Sequence, residues 1–172
     1  MIPKIKNVLY ATDLSKNSAY AFRYAVNTSM KHNAKIHILH VVEPLSPQAK
    51  ARLRLYLEDK KLDQLEKNSR KELFRQIEDR LKQFAEREFK NQPENMKHIV
   101  GIHVVQGDPA TEILSKTDEL GCDIIIIGTH GKGAIKRTFL GSVSEKVLRR
   151  TNKPVYIIPL PAGQTDITLK EI

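Results

Sequence analysis

Asp123-Ile124-Ile125-Ile126-Ile127-Gly128-Thr129-His130-Gly131 is the stretch on which the fold turns. Four consecutive isoleucines without polar alternation suit a strand buried on both faces of a parallel sheet, and β-branching favours strand over helix. The chain then leaves the sheet at the strand's carboxyl end, where open α/β sheets bind ligands. Gly128, Gly131 and Gly133 let the backbone turn sharply and bring bare N–H groups close to a ligand, an approach that a Cβ would obstruct. Further on, Gly141-Ser142-Val143-Ser144 opens a helical pattern continued by Val147 and Leu148. First-turn N–H groups have no partner within a helix and carry the positive end of its dipole, so anions belong there. A plain strand-to-helix turn is the competing reading of the same glycines.

Neither of the two common nucleotide fingerprints is present. A Walker A loop closes on Gly-Lys-Ser/Thr, whereas Gly133 is followed by Ala134 and Ile135, and no G-x-G-x-x-G follows the first strand pattern.

Outward from this stretch, the hydrophobic period alternates. Strand patterns at Asn7 to Thr12, Ile36 to Val42, Ile99 to Val105, Asp123 to Gly128 and Pro154 to Pro159 are separated by helical ones. Ser15 can cap a helix carrying Ala19, Phe22, Ala25, Val26 and Met30, and Asp108-Pro109 opens another with Ile113, Leu114 and Leu120. Such alternation implies right-handed crossovers and a mainly parallel, doubly wound α/β sheet with helices on both faces. One domain is expected over residues 1–160, followed by a polar tail at 161–172. A charged helical segment, about 49–90, carries Leu62, Leu65, Leu73, Ile77, Leu81 and Phe84 on one face and ends before Pro93. It is longer than a crossover requires, so it must project, curve around the sheet or break near Asn68-Ser69.

Composition narrows the function classes. The net charge of +9 invites a nucleic-acid or membrane-surface reading, but lysines and arginines in the charged segment interleave with Glu58, Asp59, Asp63, Glu66, Glu72, Glu78 and Glu86. Mixed signs on a helix mark a solvated face with i,i+4 pairs, so polyanion binding is the lesser reading. No apolar run approaches membrane-span length and no signal-peptide core is present, which makes a cytoplasmic location the expectation. The single cysteine, Cys122, can make neither an internal disulfide nor a cysteine metal cluster, and its position before the isoleucines suits a structural thiol.

Asp13 follows the first strand as Gly128 follows the isoleucine strand. If those strands are neighbours, a carboxylate faces the glycine loop across the crevice, able to accept hydrogen bonds from a ribose hydroxyl or to contact an adenine edge. Membership in the cap of the Ser15 helix is the alternative. Val41-Val42 could offer backbone groups to a base, or simply pair in the sheet. His130, Lys132, Lys136 and Arg137 add donors or positive field, and no histidine or cysteine stands at metal-coordinating spacing beside His130.

The chain resembles the universal stress protein family, specifically its ATP-binding branch. The family loop reads G-x2-G-x9-G-[ST], and Gly128, Gly131, Gly141 and Ser142 match every fixed position. Further matches are Ala11-Thr12-Asp13-Leu14-Ser15, Leu39-His40-Val41-Val42-Glu43, Gly107-Asp108-Pro109, and the closing Lys153-Pro154-Val155-Tyr156-Ile157-Ile158. The resemblance implies a five-stranded sheet in the order 3-2-1-4-5 and a homodimer pairing through the last strand, Val155 to Ile158. It also implies ATP as ligand, with Asp13 and Val41 at the adenosine, Gly128 near the ribose, and Gly131, Gly141, Ser142, Val143 and Ser144 around the phosphates. Ala11, Thr12, Thr129 and His130 complete the candidate set, and any Mg²⁺ or Mn²⁺ would be held mainly through phosphate oxygens. Two departures stand out: Ala11 where many members have proline, and the long charged segment after Pro47. The expected function is a noncatalytic ATP-dependent stress sensor read by an unknown protein partner, since no general base or nucleophile is evident; a weak or partner-dependent ATPase or phosphotransferase is the alternative.

Overall fold

The computed structural model describes residues 2–55, 58–129 and 140–159. Strands β1 (Asn7–Thr12), β2 (Lys35–Val42), β3 (Ile99–Gln106), β4 (Ile124–Gly128) and β5 (Val155–Ile158) form one sheet in the order β3-β2-β1-β4-β5. All four pairings are parallel. Helices α1 (Lys16–His32), α2 (Pro47–Arg54), α3 (Asp59–Glu88), α4 (Pro109–Glu119) and α5 (Ser142–Arg150) make the connections, with a 3-10 helix at Pro93–His98 leading into β3. The parallel sheet is the one the alternating pattern predicts, and its order is the one the family resemblance implies.

The isoleucine run is uniform because both sheet faces are covered. Val8, Tyr10, Ile36, Ile38, Ile124 and Ile126 point to one face and pack with Phe22 and Ala25 of α1 and Leu81 and Phe84 of α3. Leu9, Ala11, Leu39, Ile125 and Ile127 point to the other and pack with Ala110 and Ile113 of α4 and Val147 of α5. Neighbouring isoleucines of β4 thus serve opposite layers, as the two-residue period of a strand requires. Asp123 joins the amino ends of the neighbouring strands β4 and β1, its Oδ2 accepting from the backbone N–H groups of Lys6 (2.7 Å) and Asn7 (2.9 Å). Cys122 is buried, and desolvation pushes its thiol up to about 11.

The charged segment departs from expectation. Two helices occupy it, separated after Leu55, and α3 runs unbroken through Asn68 and Ser69. Ser46 caps α2, accepting from Ala49 N–H at 3.1 Å, with Pro47 in the first turn, where a missing N–H costs nothing. At 1.5 Å per residue the 30 residues of α3 span about 45 Å, whereas an eight-residue strand spans about 27 Å. Only part of such a helix can cover the sheet. Among its described side chains the fully buried ones begin at Ile77 and continue through Leu81, Phe84 and Ala85, while Leu73 is 43% exposed. Met30 in α1 and Leu148 in α5 also fit the apolar period yet stand 45% and 48% exposed.

Asp108 caps α4, its Oδ1 accepting from Thr111 Oγ1 (2.8 Å) and Thr111 N–H (3.0 Å), and these bonds hold its carboxyl below the ordinary range. A depressed folded-state value means stability that is present above the unfolded carboxyl pKa and lost as pH falls through the folded one. Asp108→Ala should therefore lower Tm at neutral pH and lose that effect once both proteins are in strong acid. Paired melts across pH 2 to 7 check this, and a pH-independent difference would contradict the cap's charge contribution.

Candidate functional site

The sheet changes winding direction between β1 and β4. The helix after β1 (α1) lies on one face and the helix after β4 (α5) on the other, which leaves a crevice at the carboxyl ends. Val8↔Ile124 through Ala11↔Ile127 set the register, so Thr12 and Gly128 come next on the two strands. The condition that the two strands be neighbours is thereby met.

On the β1 side, the exit is a tightly bonded turn. Leu14 adopts a left-handed φ of 63°, uncommon for a side-chain-bearing residue. Thr12 Oγ1 accepts from Leu14 N–H (3.1 Å) and donates to Ser18 Oγ (2.9 Å), and Asp13 Oδ1 accepts from Ser15 N–H (3.0 Å). Ser15 itself caps α1, its Oγ accepting from Ser18 N–H at 3.2 Å. Asp13 thus takes part in the turn that starts the helix and stands partly exposed at the crevice. Neighbouring β2 adds His40, whose Nδ1 donates to the Thr12 carbonyl at 2.7 Å. That bond fixes the proton on Nδ1. Val41 lies one position beyond on β2, half-buried and packed in the same layer as Ala11.

On the β4 side, the two ends of the glycine loop are tied together. Gly141 N–H donates to the Thr129 carbonyl (2.6 Å), Ser144 Oγ donates to the Gly128 carbonyl (2.8 Å), and Thr129 N–H donates to the Ile158 carbonyl (3.1 Å). These bonds hold the start of α5 against the end of β4. His130 and Gly131, both candidate site residues, lie outside the described residues, as do Lys132, Gly133, Lys136 and Arg137. Gly141 is the N-cap of α5 at φ −73° and ψ 158°, and among the described residues no side chain caps this helix. Having no side chain, Gly141 offers no capping oxygen to the first-turn N–H groups, in contrast to Ser15, Ser46 and Asp108 at α1, α2 and α4. Ser142 is exposed, Val143 is partly buried against the α4 layer, and Ser144 is buried. The Ser144 hydroxyl proton is committed to Gly128, so this serine ties the first turn of α5 to the end of β4.

Asn17 was not among the sequence candidates. Its Nδ2 donates to Thr129 Oγ1 at 3.0 Å in a buried contact between α1 and the end of β4. A Cβ placed on Gly128 would lie 3.1 Å from Asn17 Cγ and Nδ2, so a side chain there would press on the Asn17 amide and its bond to Thr129. The only sequence signal was its position two residues after the Ser15 cap.

Among the described residues there is no cluster of three or more metal-ligating side chains, and no helix is long and apolar enough to cross a membrane.

A parallel sheet in the order β3-β2-β1-β4-β5, with its winding reversed between β1 and β4, makes this an open, doubly wound α/β protein. Residues 4–159 match the model of the Universal stress protein family, and the chain belongs to that family. Universal stress protein MJ0577 of Methanocaldococcus jannaschii is 31% identical over 160 residues, which cover 89% of this chain and 94% of that protein. The solved structure of MJ0577 aligns with a TM-score of 0.72 at 26% identity, over 92% of this chain and 99% of that one. The universal stress protein from Archaeoglobus fulgidus, solved in complex with dAMP, has a TM-score of 0.51 at 19% identity, covering 91% of this chain and 99% of that one, a likeness of fold.

Proposed function

We propose that this chain binds ATP at the β1/β4 crevice without turning it over, and that occupancy of the site is what a partner reads under stress. The observation that carries the reading is the tie between β4 and α5: Gly141 N–H to the Thr129 carbonyl and Ser144 Oγ to the Gly128 carbonyl bring the strand end and a helix terminus with a glycine N-cap together. Backbone N–H groups of Ser142, Val143 and Ser144 are the donors a polyphosphate would meet there, aided by the dipole of α5. Asp13, with one oxygen engaged by Ser15 N–H, suits the nucleoside end, where a carboxylate accepts from sugar hydroxyls. The backbone of Val41 would meet the base. A divalent cation would be held by the phosphates and water rather than by a side-chain cage.

Titration calorimetry with ATP, AMP and NADH in buffer containing Mg²⁺ and Mn²⁺ tests the proposal. ATP should bind most tightly, and no ATP binding at millimolar or lower concentration would end it. Release of phosphate by purified protein, abolished by Gly131→Val, would move the reading to an ATPase. The same proposal includes a homodimer through β5, a four-residue edge strand on which Tyr156 is 43% exposed. Light scattering that returned the mass of one chain, with and without ATP, would remove the dimer from it.

A further inference from the structure

His37 of β2 and His103 of β3 make a second constellation, remote from the loop. His37, Leu39 and Val41 alternate on the face covered by α4, with His37 about 13 Å along the strand from Val41. In the β2/β3 register His37 stands opposite Gly101 and Leu39 opposite His103, so the two imidazoles reach toward each other diagonally. His37 Nδ1 and His103 Nε2 are 3.2 Å apart, and the ring centroids are 5.4 Å apart at 34°. They converge above Gly101. A Cβ on that residue would lie 2.6 Å from His103 Nε2 and 3.4 Å from His37 Nδ1, so the missing side chain is what leaves room for the two nitrogens to meet.

We propose that His37 Nδ1 and His103 Nε2 form a two-nitrogen chelate, cleared by Gly101, for a borderline divalent cation of the Zn²⁺, Ni²⁺ or Cu²⁺ class, with water completing the coordination. The spacing fits. With Zn–N bonds of about 2.0 Å, nitrogens 3.2 Å apart subtend roughly 105° at the metal, close to the tetrahedral angle; the rings now aim their nitrogens nearly at each other, so both must swing for their lone pairs to converge on the ion. Neutral imidazole is a ligand of these ions, whereas Mg²⁺ and Ca²⁺ take oxygen. Partial burial lowers the proton affinity of both rings, which keeps them in the ligating form at neutral pH. In the metal-free pair one ring donates its N–H to the other. Metal entry requires the donating ring to carry its proton on its other nitrogen, so both rings stay neutral and no proton leaves.

The charged groups acting on the pair are Lys35 at His37, and Lys116, Glu119 and Glu78 at His103. Lys116 is occupied by Glu119 at 2.7 Å, which offsets its repulsion of a cation. The chain has four other histidines, His32, His40, His98 and His130, so the test must separate them from the pair.

Full-length protein, dialysed against chelator and free of nucleotide, is titrated with ZnCl₂, NiCl₂ and MgCl₂ by calorimetry. One Zn²⁺ and one Ni²⁺ per chain should bind, and Mg²⁺ should give no site. His37→Gln and His103→Gln should each weaken Zn²⁺ about tenfold or more, the scale of loss when support for a metal site is removed, and Gly101→Ala should do so by displacing His103. Cu²⁺ bound to the parent should show two equatorial nitrogens by electron paramagnetic resonance. Absence of Zn²⁺ binding up to 1 mM, or binding that survives both glutamine variants, would overturn the proposal. Should those variants fail to fold, imidazole NMR of the parent during Zn²⁺ addition decides: first shifts at His37 and His103 support the site, and first shifts at other histidines refute it.

Discussion

Replacing Phe22 with alanine is expected to lower the free energy of unfolding by about 3–5 kcal/mol, the range for removing a buried aromatic ring. The side chain is wholly buried, and its ring lies 5.2 Å from Tyr10, 5.2 Å from Phe84 and 5.9 Å from Phe89. These contacts join β1, α1 and the carboxyl half of α3. A cavity there cannot close easily, because its walls belong to three separate elements, one of them a sheet strand. Met30, on the same helix and matching the same apolar period, supplies the control. Its side chain is 45% exposed, so Met30→Ala should change stability by no more than about 0.5 kcal/mol. Urea denaturation at a fixed protein concentration compares them, since association would shift the apparent value. Equal losses from the two substitutions would show that Phe22 is not the junction described.

Gly128→Val should reduce ATP affinity at least about 30-fold, a loss of about 2 kcal/mol in binding, if the β1/β4 crevice holds the nucleotide. A Cβ at this position already meets Asn17 Cγ and Nδ2 at 3.1 Å, and valine adds two methyl groups. Asn17 cannot retreat without giving up its bond to Thr129 Oγ1, and the Gly128 carbonyl is itself bonded to Ser144. Crowding at one residue therefore displaces both ends of the loop. Overpacking of this kind also costs stability, about 1–3 kcal/mol, so the titration is run well below the melting temperature of the variant with circular dichroism confirming the fold. A folded Gly128→Val protein that binds ATP within threefold of the parent would exclude Gly128 from the nucleotide site.

Much of the architecture was legible in the residues because burial on two faces leaves a distinctive record. Ile124 to Ile127 show no alternation, which suits a strand covered on both sides, and their β-branching favours strand over buried helix. The caps were legible too: Ser15 and Asp108 both accept from the residue three positions on, as short polar side chains do at helix starts. The division of the charged segment was not legible. No glycine or proline stands between Leu55 and Glu58 to mark the break, whereas Asn68-Ser69 carries weak breaker residues inside a helix that stays whole. Periodicity also marks an apolar stripe without saying how far the sheet beneath it extends. Leu73, Met30 and Leu148 fit the stripe and lie at or beyond its edge.

By itself the sequence determined the alternation of strands and helices, the spacing of Gly128, Gly131, Gly141 and Ser142, and the family, because these depend on local period and on fixed intervals along the chain. Only the tertiary structure decided which groups meet across the sheet. Asn17 and Thr129 are 112 positions apart, and His37 and His103 are 66 apart. Strand order and register bring each pair within hydrogen-bonding distance, and neither is written in the neighbourhood of any one of those residues.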